Sequence, residues 1–399
     1  DGVLWHSRSE QFVVGVKHKL FEKTFQHYQP GVTLMWIVGS AAEIFKQVTN
    51  ITVYNSETYV RFDFIAKSAL VLVQLFLSIL IIYHLSKITG FLKAFLITTI
   101  FTFEPFFIGN SRLLHMDVLS GLLVFLCLIL VYEITQKPTV IKSLFIGLLL
   151  SLSFLTKSLF LGVLFYVVFY LLFSVFILKN EKRETLKSLA YILISFFVFT
   201  LLLFPALWKD PVYYLFEMTF REGQIAGMVE GHRQIVFGKQ VMNGGAAFYF
   251  LVFLMKISPF ILIGFFLFMF YKLKFVEIST KIREYVKNKK FDFGLFLSVF
   301  YLGYIVFMII APKKIDRYII FMYPVFAYLA YSGYEFVLSR FKNKSVGVVL
   351  TMFLFSVFVL LPIVKIFPWY FTYTSPIFGN TLFANRIIGQ KSFGVGIPD

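Results

Sequence analysis

The chain has 399 residues, of which 59% are hydrophobic and 15% charged, and its mean hydropathy is +0.80. Soluble domains hold about 45–50% apolar and about 25% charged residues, so this composition excludes a water-soluble globular protein and indicates an integral membrane one. The net charge of +17 fits lysine and arginine in short loops, where they orient helices and meet anionic lipid headgroups. Basic motifs interleaved with aromatic residues for base stacking are missing from the sequence, so nucleic acid is not a predicted partner.

Residues 1–61 hold no clean span; Gly31 to Val48 is apolar but interrupted by Glu43 and Lys46. This region reads as an external loop carrying one or two interfacial helices. Continuous apolar runs then predict spans at 62–85, 90–109, 112–134, 140–156, 159–178, 188–207, 247–271, 293–311, 317–338 and 346–367. The runs are continuous rather than alternating, so the predicted fold is an all-α transmembrane bundle of about ten spans and not a barrel. Residues 62–367 form the bundle, 208–246 a long external loop within it, and 368–399 an external tail. The start at Asp1 without Met and the stop at Asp399 without a closing element predict a fragment that lacks the first helix. The lone cysteine, Cys127, lies inside an apolar run and reads as a small core residue.

Orientation follows from the bias of positive charge. Lys87 and Lys93, Lys137 and Lys142, Lys179 to Lys187, Lys272 to Lys290, and Arg340 to Lys344 occupy one set of alternate loops. Those loops are expected on the cytoplasmic side. The remaining loops face outward, including the segment PKKIDRY, so topology does not account for Lys313, Lys314 and Arg317. Charge beside hydrocarbon is costly and marks a functional site by default.

Other charges gather at outward ends. In GNSRLLHMDVL, Arg112, His115 and Asp117 are read as opening a helix, with Arg112 and His115 on one face. A structural Arg–Asp pair is the alternative reading for Arg112 and Asp117. Glu104, before Pro105, reads as a snorkelling or cavity-facing acid. Lys157 sits at a tight outward turn and alone would be an interfacial anchor. Asp1, His6, Arg8 and Glu10 lie in the first stretch, for which a solvated loop is the alternative. The 208–246 loop, rich in glycine and mixed charge, suits a cover over a site. P-loop, HExxH and GxSxG motifs do not occur. His6, His18, His27, His115 and His232 lack ligand spacing, so neither a metal nor another cofactor is predicted.

Several motifs in order resemble the multi-spanning glycosyltransferases that use polyprenyl-phosphate sugars, the superfamily of protein O-mannosyltransferases and lipid A aminoarabinose transferases (GT-C type). DGVLWHSRSEQF is similar to that family's first external loop, and YQPGVTLMW to its HPGVT-type segment, with Gln29 in place of histidine. IGNSRLLHMDVL, FLTKS, FPALWKDP, GAAFYFLVFLMKISP, PKKIDRY and YFTYTSPIFGN resemble later motifs in sequence order. Where the family commonly has Asp-Glu, this chain has Asp1 followed by Gly2.

The resemblance implies an inverting transfer from a polyprenyl-phosphate sugar to a hydroxyl of a protein, glycan or lipid, at the outer face of a prokaryotic plasma membrane. A phosphate leaving group needs cations to stabilise it, and the acceptor hydroxyl needs a base. By resemblance Asp1 is the expected base. Lys313, Lys314 and Arg317 are the expected phosphate clamp, with Lys157 and Arg112 assisting. Asp117, His115, Arg8, His6 and Tyr318 are expected to orient substrate, while Asp316 restrains the basic cluster. The rival from another class is a polyprenyl-lipid or anion transporter, which would show broken helices and charges spread through the bilayer depth.

Overall fold

Apolar runs fold as helices throughout the computed structural model, which describes residues 2–51, 54–177, 181–221, 223–224, 234–272, 292–379 and 381–389. Asp1 and His232 lie outside the described residues. In chain order the helices are α1 (Gly2–Lys17), α2 (Val32–Thr49), α3 (Tyr59–Thr89), α4 (Phe91–Thr102), α5 (Pro105–Ser111) and α6 (Asp117–Gln136). Next come α7 (Val140–Thr156), α8 (Leu161–Phe176), α9 (Lys182–Leu203), α10 (Ala206–Lys209) and α11 (Pro211–Phe216). A short hairpin, β1 (Gln234–Val236) and β2 (Lys239–Val241), precedes α12 (Phe248–Lys256), α13 (Pro259–Leu267), α14 (Phe293–Ile310) and α15 (Tyr323–Leu338). The series closes with α16 (Lys344–Phe355), α17 (Leu361–Ile366) and α18 (Thr381–Ile387). The chain is an all-α polytopic membrane protein. Among the described residues six helices are long and apolar enough to cross a membrane, and eight if each of two bent pairs counts as one span.

Two compact units divide the chain, Asp1–His84 with Ser111–Ile225, and Leu85–Asn110 with Ala226–Asp399. In the first unit α6 is the core, since every residue from Asp117 to Val131 is buried. A helix apolar on all sides needs neighbours on all sides. Helices α7 and α9 cross closely at Gly147, where a Cβ would lie 2.5 Å from the Ser195 side chain and 2.6 Å from the Ile192 carbonyl. Small residues of this kind let membrane helices approach backbone to backbone, and hydroxyls then bridge them. Ser195 donates to the Leu144 carbonyl at 2.6 Å and Thr200 to Ser151 at 3.0 Å. Residues 1–61 contain the helices α1 and α2 and the start of α3. Thr33 donates to the Leu152 carbonyl at 2.8 Å and Trp36 to the Leu203 carbonyl at 2.7 Å, which ties α2 to the core.

The second unit contains the two broken spans. Helices α4 and α5 bend by 75°, and α12 and the α13 run bend by 115°. Each break precedes a proline, Pro105 or Pro259, which removes a donor and pushes the preceding residue out of helical geometry. Helices α13 and α15 meet at Gly264 and Gly333, where a Cβ on Gly333 would come within 2.1 Å of the Gly264 carbonyl. The hairpin turns through Phe237 (φ 50°) and Gly238 (φ 74°), the two positive φ values a type I′ turn requires. The end of α18 continues the ladder, with Phe237 donating to the Ile387 carbonyl at 2.8 Å and Gly389 to the Ile235 carbonyl at 2.9 Å.

Three expectations change. The runs read as single spans at 90–109 and 247–271 are broken ones. The run at 317–338 begins as a 3-10 turn from Asp316 to Met322 before α15 starts. The described part of the tail is packed into the second unit: Phe371 faces Phe106 with ring centroids 5.7 Å apart, and its backbone fills the space beside Gly109.

Candidate functional site

The expected site residues fall in both units. In the first, Arg112 to Met116 form a turn and α6 opens at Asp117. Arg112 and His115 therefore do not share a helical face, contrary to expectation; Arg112 is exposed and His115 half-buried. Asp117 is buried with the core helix, and two basic side chains converge on it. Lys157 Nζ stands 3.2 Å from its Oδ1 and His115 Nδ1 stands 3.1 Å from its Oδ2. Helix α7 ends at Thr156 and Lys157 adopts extended backbone, which turns its side chain inward. It is only 4% exposed, so it is no interfacial anchor. An ion pair buried this far is costly to form and costlier to break.

The N-terminal segment folds onto the same region. Gly31 opens α2 with φ +57°, and the Trp5 ring occupies the place its Cβ would take, 2.3 Å away. Met116 Sδ lies 3.4 Å from that point. Trp5, Gly31 and Met116 thus join α1, the YQPGVT segment and the turn before Asp117. Arg8 lies over the Trp5 ring, 5.0 Å from its centroid. Burial lowers the Arg8 pKa from its ordinary value, although guanidinium stays charged. His6 is buried, its Nε2 3.2 Å from Asp63 Oδ1, with the rings of Tyr54 and Tyr59 around it. Burial, reinforced by Tyr59 and Asp63, pushes the Tyr54 hydroxyl up to about 12.

In the second unit the basic segment splits by role. Lys314 is 1% exposed, and its ammonium donates to the carbonyls of Met308 (3.0 Å), Ile309 (2.8 Å) and Ala311 (2.7 Å). These are the orphan acceptors at the end of α14, so Lys314 closes that helix and neutralises its negative end. Burial lowers its pKa. Lys313, Arg317 and Tyr318 are half-buried. The Arg317 backbone N–H donates to Asp316 Oδ1 at 2.8 Å, and the Tyr318 carbonyl accepts from Tyr304 at 3.1 Å. Asp316 thus restrains its own segment.

Sequence reading passed over a buried cluster in this unit. Lys256 ends α12 and is 2% exposed; its ammonium donates to the Tyr373 carbonyl at 2.9 Å and lies 4.7 Å from the Phe106 ring centroid. Tyr323 donates to the Lys256 carbonyl at 2.7 Å. Glu104 is fully buried and accepts from both the backbone N–H and the hydroxyl of Ser258, which links the two breaks. It is neither snorkelling nor exposed to a large cavity. The visible signal was a polar residue just ahead of proline inside each apolar run, in FEPF and KISPF.

No family model and no curated protein sequence matches the chain. Among solved structures, it is similar to ArnT from Cupriavidus metallidurans bound to undecaprenyl phosphate, with a TM-score of 0.55 at 14% identity over 86% of this chain. The apo form of that ArnT gives 0.54 at 15% identity, again over 86% of this chain. The chain spans 60% and 56% of those two chains. At this identity the likeness concerns the path of the backbone: the chain has a polytopic membrane fold similar to that of ArnT.

Proposed function

We propose that the protein is an inverting glycosyltransferase that takes a sugar from a polyprenyl-phosphate carrier and places it on an acceptor hydroxyl. The fold similarity to ArnT, one of whose structures holds undecaprenyl phosphate, over 86% of the chain carries this reading. Chemically, the acceptor oxygen bonds to the anomeric carbon while the bond from that carbon to the phosphate oxygen breaks. The carrier phosphate leaves with the electron pair, and a carboxylate takes the hydroxyl proton. We assign that carboxylate to Asp1.

Lys313 and Arg317 are assigned to the phosphate, since arginine offers a planar fork to its oxygens and lysine a point charge. Lys314, committed to the end of α14, supports them from behind. Arg112, an exposed cation of the first unit, is assigned a helping role. Asp117 fixes Lys157 and His115, while His6, Arg8 and Tyr318 orient substrate. The protein is assigned to the plasma membrane of a prokaryote, with its chemistry on the outer face by the bias of the basic loops.

Purified protein should move sugar from a synthetic polyprenyl-phosphate sugar to one of a panel of peptide, glycan and lipid acceptors. Asp1→Asn should lower turnover at least a hundredfold with little change in donor affinity, within the range general-base catalysis supplies. Arg317→Ala should chiefly weaken donor affinity. Retention of wild-type transfer by both variants would refute these assignments. The broken spans are the observation on the side of the transport reading. Glu104 and Lys256 at those breaks are engaged with Ser258 and the Tyr373 carbonyl, which favours a structural use of the breaks.

A further inference from the structure

Lys256 carries three donors, and the described residues give its ammonium one acceptor, the Tyr373 carbonyl. A cation removed from water needs more than one neutral partner, because desolvation costs several kcal/mol (about that order for an ammonium). Lys256 also borders a small cavity within the second unit, lined by Val252, Met255, Lys256, Asp316 and Ile388, with a free volume of about 10 Å³. That is room for about one water molecule. Two opposite charges therefore share one gap with apolar walls, where attraction is stronger than in bulk water.

Asp316 is the residue before Arg317, is 9% exposed, and holds the Arg317 backbone N–H at 2.8 Å. Lys256 in turn is fixed from several sides. Tyr323 grips its carbonyl, Phe106 faces its ammonium, and Ser375 donates to the neighbouring Met255 carbonyl at 2.7 Å. A charge anchored in this way can set where the Lys313–Tyr318 segment lies.

We infer that Lys256 is a positioning residue, whose buried charge acts through Asp316 to hold Lys313 and Arg317 in the arrangement that receives the donor phosphate. This rests on the glycosyltransferase reading and deepens it. The chemistry asks for a fixed cation pair, because preorganised charges stabilise a leaving phosphate without reorganising during the reaction. A lysine in the middle of the sequence MKISP would otherwise be an unexplained cost.

The test is a double-mutant cycle on the purified protein, with Lys256→Met, Asp316→Asn and the pair together. A synthetic polyprenyl phosphate in detergent micelles is the binding probe, and thermal unfolding is the second readout. Each single variant should weaken binding about tenfold or more, and the pair no more than the worse single, because coupled residues are not additive. Lys256→Arg, which keeps the charge, should bind within a few-fold of wild type. The unfolding cycle should also be non-additive, since each single leaves a buried charge without its counterpart.

Additive effects in both readouts, or unchanged binding by folded single variants, would overturn the inference. Wild-type protein that neither binds the probe nor transfers sugar would instead overturn the functional reading beneath it. The two failures are thus separable.

Discussion

Two lysines that resemble each other in sequence do different work. Lys314 spends its protons on three carbonyls at the end of α14, whereas Lys157 neutralises Asp117 beside the core helix. Replacing Lys314 with methionine should destabilise the protein by about 1–3 kcal/mol through the carbonyls it strands. Donor affinity should suffer less than in Arg317→Ala. Burial lowers the Lys314 pKa from 10.5, so the unfolded chain binds that proton more tightly than the folded one. Stability from this group therefore falls as pH drops from the ordinary lysine range through the lowered value, and is level below it. The alkaline slope of thermal unfolding should differ between wild type and Lys314→Met in this sense. Lys157→Met should cost about 3–5 kcal/mol by taking its lysine from a buried carboxylate, and Lys157→Met with Asp117→Leu clearly less. Equal losses in single and double variants would show that the pair is not coupled.

Among elements, the informative features are the helix starts and the breaks. Gly31 begins α2 at φ +57° with the Trp5 ring pressed against it. Gly31→Ala is therefore strained in backbone and space together, and should lower stability by about 1–3 kcal/mol or more. Adding Trp5→Leu should recover part of that loss in detergent unfolding; no recovery would mean that the φ angle alone decides.

Much at this scale was legible. Continuous apolar runs located the long helices of the bundle, while α1, α2 and α18 lie outside those runs. The breaks were not foreseen, because hydropathy averages over a window and ignores one proline after Glu104 or Ser258. The hairpin at Val236-Phe237-Gly238-Lys239 was missed because three-residue strands leave too short an alternation. Arg112 and His115 were placed on a helix that starts only at Asp117, since an apolar run says where hydrocarbon begins and not where the first turn closes. Lys256 fell inside the run read as a single span at 247–271, and only tertiary packing shows its burial.

For the whole molecule, the sequence motifs and the path of the backbone are two readings of one chain. The motifs in order resemble polyprenyl-phosphate-sugar transferases, and the fold is similar to that of ArnT at 14% identity. Fold alone does not establish chemistry, so the substrate decides. Purified protein in liposomes that carry a labelled polyprenyl-phosphate sugar, supplied with the acceptor panel, separates transfer from transport. Transfer predicts free polyprenyl phosphate and a glycosylated acceptor of inverted anomeric configuration, both lost in Asp1→Asn. Intact donor moved to the opposite leaflet, with no glycosidic bond broken, would contradict it.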